Sequence, residues 1–240
     1  MRLPTIALAL AALAALLSPA AASAMNAAED VTPAVTIAQD TDNTANPSLS
    51  SQNDRAFCTL GFLARLPDGR TGAVTAGHCD NDAPGSPGWV HMAYSPTDTW
   101  RRFAHFVAKA YGDDAGSDIA LLAVDPSAGI PTDARIGYKL DVRGYVDAAT
   151  LAATAPKACK WGAVTGMTCG DFIGVVPGTN KAQWRMASAH GDSGSPVFVS
   201  IKSGGVGAVG VLDGSPRGDD GVVTVELIEP WLSKWGLQLL

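Results

Sequence analysis

Ser193 lies in the run Ala187-Ser188-Ala189-His190-Gly191-Asp192-Ser193-Gly194-Ser195-Pro196, between two closely placed glycines. A hydroxyl in such a segment becomes a nucleophile once an imidazole takes its proton, and converging backbone N–H groups can receive the oxyanion that then develops. One glycine-flanked serine is ordinarily just a turn. Two distant blocks change that: Thr75-Ala76-Gly77-His78-Cys79 and Ser117-Asp118-Ile119-Ala120-Leu121-Leu122. With them the chain offers a base, an acid and a nucleophile in the order His, Asp, Ser, one of the orders in which acyl-transfer triads occur. The reverse order of the α/β-hydrolases is absent, and no G-x-S-x-G follows a strand ahead of a helix.

These three side chains need a rigid frame. Phe57 to Arg65 reads as a strand, Pro67-Asp68-Gly69-Arg70 as a tight turn, and Thr71 to Ala76 as the returning strand, so a hairpin delivers His78 to its end. Trp89–Tyr94 and Trp100–Val107 read as further strands, and Asp118 follows a glycine- and aspartate-rich loop directly ahead of the apolar run Ile119–Val124. Pro126 to Pro131 reads as the crossing between two halves. Short strands follow over Ala134–Tyr138, Val142–Tyr145, Ala158–Trp161, Phe172–Val176, Gln183–Met186, Val197–Ile201, Val206–Leu212 and Gly221–Leu227. Frequent turns and almost no helical periodicity predict an all-β sandwich or barrel. Pro230 at a first helical position and tryptophans four apart, Trp231 and Trp235, predict one short C-terminal helix.

Length and composition allow a sizeable core: 240 residues, 47% of them hydrophobic. A net charge of −6 without a basic block argues against nucleic acid as a partner. Residues 1–24 read as a signal peptide, with Arg2, the apolar run Ile6–Leu17 and an A-x-A site at Ala22-Ser23-Ala24. That run is short for a membrane span, so export to the extracellular space or cell envelope is expected, as a protein without a membrane span. Residues 25–54, rich in Ala, Thr, Asn, Asp, Ser and Pro, read as a flexible leader or short pro-segment, with order beginning near Phe57. An oxidising compartment favours pairing of Cys58, Cys79, Cys159 and Cys169. Of the three possible connectivities, Cys58–Cys79 and Cys159–Cys169 each close a local loop. A zinc site competes poorly, because no C-x-x-C pair exists.

The blocks Thr-Ala-Gly-His-Cys, Ser-Asp-Ile-Ala-Leu-Leu and Gly-Asp-Ser-Gly-Ser-Pro, in this order, resemble the signatures of chymotrypsin-like serine proteases. The segment Cys159 to Gly170 resembles the disulfide loop of their short bacterial branch, which includes α-lytic protease and the streptogrisins. The resemblance runs from about Phe57 to the C-terminus. It implies two six-stranded antiparallel β-barrels, here residues 55–125 with His78 and Asp118, and 126–240 with Ser193, with the site in the cleft between them. It implies Ser193 as nucleophile, His78 as general base and then acid, Asp118 as the group holding the imidazole, and the N–H groups of Gly191 and Ser193 as oxyanion hole. Asp192 would pair with Lys160 and so shape the oxyanion loop. No metal and no organic cofactor is implied, and the expected partner is a polypeptide substrate met by a monomer.

The same alignment lines the primary pocket with Ala187, Ser188 and His190 on one wall and Leu212, Asp213, Gly214 and Ser215 on the other. Alanine at the base predicts cleavage after small or medium apolar residues. His190, Ser188 and Ser215 leave an acidic residue as the other reading. Asp213 departs from the family, which carries a serine there that bonds the catalytic aspartate. A second carboxylate beside Asp118 would raise the pKa of one of the two and misorient His78 unless it points away or carries a proton. The contrasting expectation is therefore a protease-fold binding protein of the cell envelope with little or no turnover.

Overall fold

The computed structural model describes residues 30–39, 57–80, 88–94, 99–113, 116–216 and 221–240. The described residues form two β-sheets, two short α-helices and two 3-10 turns. The first sheet contains β1 (Thr36–Gln39), β2 (Cys58–Thr59), β3 (Leu63–Arg65), β4 (Thr71–Thr75), β5 (Trp89–Ala93), β6 (Arg101–Tyr111) and β7 (Asp118–Val124). The second contains β8 (Val142–Tyr145), β9 (Ala158–Gly162), β10 (Gly166–Val176), β11 (Lys181–Arg185), β12 (Pro196–Ser200), β13 (Val206–Gly214) and β14 (Val222–Leu227). Helix α1 (Ala148–Thr154) precedes β9, and helix α2 (Glu229–Trp235) precedes a last strand, β15 (Gln238–Leu239).

Strand order in the first sheet is β15-β3-β4-β7-β6-β5-β1-β2. The segment Cys58–Arg65 pairs with β1 through its first residues and with β4 through its last, so both ends of the curled sheet run through one stretch of chain. In the second sheet the order β12-β9-β10-β11-β14-β13 returns to β12, a closed six-stranded barrel. The all-β expectation therefore holds, with β8 added parallel to β13 on an otherwise antiparallel arrangement.

All seven residues of β7 are buried, which is what a strand covered on both faces requires. Leu122 and Val124 pack into the core of the first sheet with Phe103, Val90 and Leu60. Ile119, Leu121 and Ala123, on the other face, pack with Phe198, Val211 and Trp231 of the second half. One strand thus belongs to a barrel core and to the seam between halves, and Asp118 is its first residue.

Several boundaries differ from the sequence reading. Residues 25–54 are not leader throughout: β1 pairs with β2 and β5, and Val31 and Ile37 are fully or almost fully buried. Single apolar residues among polar ones hid a strand whose core face needs only Val35, Ile37 and their neighbours. The 55–125 and 126–240 division is also crossed, because β15 returns to pair with β3. The predicted strand over Ala134–Tyr138 is a run of turns with a single Ile136–Leu140 bridge. Helix α1 was missed, although Asp147 caps it by accepting from the Thr150 N–H at 2.7 Å. The signal-peptide assignment to 1–24 lies outside the described residues.

Candidate active site

Strand β4 ends at Thr75, and a short 3-10 turn over Gly77–Cys79 carries His78 beyond it. The Cys58–Cys79 disulfide ties this turn to β2, and Cys159–Cys169 joins β9 to β10; both local pairings are present. With all four thiols oxidised, the zinc reading has no sulfur ligand left.

Asp118 grips this turn twice. One oxygen accepts the His78 backbone N–H at 2.8 Å, and the other meets His78 Nδ1 at 2.7 Å. Gly77 permits the approach, since a Cβ there would stand 3.0 Å from the Asp118 carboxylate and closer still to two backbone atoms. The hydrogen bond to Asp118 pushes the His78 pKa up against the opposing effect of burial. Burial works to raise the Asp118 pKa but is outweighed by hydrogen bonds from His78 and from Asp213, so it ends lowered. The His78 side chain stays partly open to solvent.

Ser193 is brought to the same place from the second barrel. A cavity of about 660 Å³ is lined by His78, Ser193, Ser188, Ala189, His190, Leu212, Asp213, Gly214, Ser215 and Pro216. No hydrogen bond joins Ser193 to His78 among the described residues. Such contacts are commonly loose without substrate and tighten when it binds. Of the expected pocket residues, Ala187 falls outside this lining: it is exposed, and its carbonyl accepts from Thr168 at 2.8 Å. Ala189 and Pro216, which the sequence reading did not assign to the pocket, take part instead.

The loop holding Ser193 is fixed from below and from the side. The Thr59 N–H donates to the Ser193 carbonyl at 2.7 Å, and the Thr59 hydroxyl to the Gly191 carbonyl at 2.8 Å. Gly194 has φ +83°, and a Cβ there would lie 2.1 Å from the Thr75 hydroxyl oxygen, so only glycine lets the barrels meet here. Within the loop the N–H groups of Asp192, Gly194 and Ser195 go to the carbonyls of Ala189, Leu212 and Asp192. The amides of Gly191 and Ser193 have no acceptor among the described residues, which suits them to an oxyanion.

Asp192 anchors that loop. Its side chain and that of Lys160 are fully buried and meet at 2.9 Å. Thr165 donates from its hydroxyl at 2.6 Å and its N–H at 3.1 Å, with further N–H donors from Val164 and Ala189. Burial would raise the Asp192 pKa, yet these donors hold it below the usual carboxylate value.

Asp213 sits where β13 and β14 slip register, Leu212 opposing Val225 and Gly214 opposing Thr224. A bulge of this kind re-aims a side chain. An oxygen of Asp213 lies within 4.8 Å of the nearest facing atoms of Asp118 and His78, and Lys181 Nζ reaches it at 2.6 Å. Burial first, then the proximity of Asp118, push the Asp213 pKa up to about 7, against the pull of Lys181. Lys181 also lies 3.8 Å from Glu226, which accepts the Asp118 backbone N–H at 3.2 Å and the Trp231 indole N–H at 2.9 Å. Lys181 and Glu226 were missed; Glu226 left a signal as a charged residue inside the otherwise apolar run Val222–Leu227, and Lys181, at the head of a mixed strand, left none.

No family model and no curated protein matches the sequence. Solved structures do. The Nocardiopsis protease is 22% identical and superposes with a TM-score of 0.60 over 88% of this chain and 98% of its own. Thermobifida fusca protease A is 23% identical, with a TM-score of 0.57 over 88% and 99%. A glutamic acid specific serine protease that uses a histidine triad in substrate binding is 19% identical, with a TM-score of 0.63 over 88% and 100%. The chain therefore has the fold of the bacterial chymotrypsin-like serine proteases.

Proposed function

We propose, from this fold and from the arrangement in its cleft, that the chain is a serine endopeptidase working through an acyl-enzyme. The observation that carries the reading is the double grip of Asp118 on His78 at a cavity that Ser193 shares. Ser193 attacks the scissile carbonyl while His78 Nε2 takes its proton, and His78 then returns that proton to the leaving amine. Asp118 keeps the Nδ1–H tautomer and stabilises the imidazolium. The amides of Gly191 and Ser193 receive the oxyanion, each donor of this kind being worth about 2.7–4 kcal/mol in the barrier. Because the His78 pKa is raised, the reaction needs a pH above the ordinary histidine value to free the base.

The residues lining the cavity support a substrate preference. The nearby acid, Asp213, is engaged by Lys181 and is poorly suited to bind an arginine or lysine side chain. A small or medium apolar residue before the cut fits Ala189, Leu212 and Gly214. An acidic residue is the second preference, supported by His190, Ser188 and Ser215 in the lining. Export by residues 1–24 belongs to the same reading and agrees with two disulfides. We take the protein to act as a monomer on polypeptides.

Fluorophosphonate labelling tests this. Covalent modification of Ser193 is expected, and Ser193→Ala and His78→Ala should each lower peptide turnover on the order of 10⁶-fold. A folded chain that never reacts would instead be a binding protein on a protease frame, a reading that a second carboxylate beside Asp118 favours.

A further inference from the structure

Behind the Asp118–His78 pair lies a group of charges that the proposed reaction does not use. Asp118 opens β7, Asp213 lies at the β13 bulge, Lys181 opens β11, and Glu226 sits near the end of β14 directly opposite Lys181. Three carboxylates and one ammonium meet where the halves join. His78 faces the same group from its turn, with Tyr111 beyond it at a ring distance of 6.3 Å and His190 across the cavity.

Carboxylates this close, two of them buried, cannot all be ionised with one lysine between them. Asp118 has two contacts that favour its charge, the His78 backbone N–H and the His78 ring. Asp213 has one cation, bound at one oxygen, and an anion on its other side. The shared proton therefore belongs on Asp213. Glu226 is held by the Trp231 indole and the Asp118 amide, so it locks the start of β7 in place.

We propose that Asp213 and Lys181 are positioning residues for the Asp118–His78 pair: Lys181 grips one oxygen of a protonated Asp213, whose other oxygen donates to Asp118 and fixes it as the ionised partner of His78. This deepens the endopeptidase reading and rests on it for its consequence in activity. The raised pKa of Asp213 agrees with the arrangement. Loss of that proton places a second anion beside Asp118, removes a donor from it, and raises the basicity of His78.

The His78 ring can be followed by NMR against pH, alongside the rate of fluorophosphonate labelling. The wild-type ring should report two transitions, its own and one near 7 from Asp213. Asp213→Asn keeps a donor that has no proton to lose, so the second transition disappears from both measurements while labelling persists. Lys181→Met should move that transition upward by about 1–3 units, and Lys181→Arg should restore it. A single transition in the wild type, or identical titrations in wild type and Asp213→Asn, overturns the proposal. Should Asp213→Asn fail to fold, the wild-type and Lys181→Met titrations decide the matter by themselves. A chain that titrates as expected but never labels upholds the Asp213–Lys181 arrangement and sinks the endopeptidase reading.

Discussion

Two lysine–aspartate pairs flank the cleft, and they differ in how well the acid is satisfied. Asp192 is buried with Lys160 and receives donors from Thr165, Val164 and Ala189 as well. Asp213 shares its one lysine with Glu226 and borders Asp118. The first carboxylate titrates below its usual value, and the second rises to about 7. Residue type and contact distance are alike, so neither decides the charge. What decides it is the number of donors set against the number of neighbouring anions.

Removing each lysine separates the two cases most sharply. Lys160→Ala strands an anion that has no route to water, and should cost roughly 3–5 kcal/mol in chemical denaturation and strip labelling of Ser193. Retention of full activity and stability would mean that Asp192 is held by its neutral donors alone. Lys181→Ala should cost less, about 1–2 kcal/mol at pH 6, because Asp213 already carries a proton and the site is partly open to solvent. Equal losses at the two sites would erase the distinction.

The pH dependence of stability sharpens the comparison further, because there the two acids act with opposite sign. The Asp192 pKa is lowered by folding, so its contribution is present above 3.8 and fades as the pH falls below it. That of Asp213 is raised, so its contribution is full below 3.8 and is lost as the pH rises through about 7. Urea unfolding of Asp213→Asn and wild type should therefore diverge as the pH rises from about 4 to about 7, with the variant gaining relative to wild type, and run parallel above that. Curves that stay parallel from pH 5 to 9 would count against a protonated Asp213.

Much of the site was legible because its chemistry is carried by short contiguous blocks. Gly191 and Gly194 around Ser193, and Gly77 beside His78, are needed where a Cβ would strike a neighbour, so the motif records the geometry. The Asp192–Lys160 pair was legible for the same reason, and both disulfides because each closes a local loop. Strand β1 was not, since its apolar residues are few and its burial comes from β2 and β5 rather than from its own pattern. Ala187 was assigned to the pocket by alignment, yet the chain turns it outward and admits Ala189.

By itself the sequence determined the all-β class, the two cystine loops and the order of the His78, Asp118 and Ser193 blocks. Those depend on periodicity, on spacing and on side chains whose chemistry is intrinsic. Only the tertiary structure decided the state of Asp213. Its partners, Asp118 on β7 and Lys181 on β11, stand far from it in the chain, and the proton goes where their summed field and burial make the charge least costly.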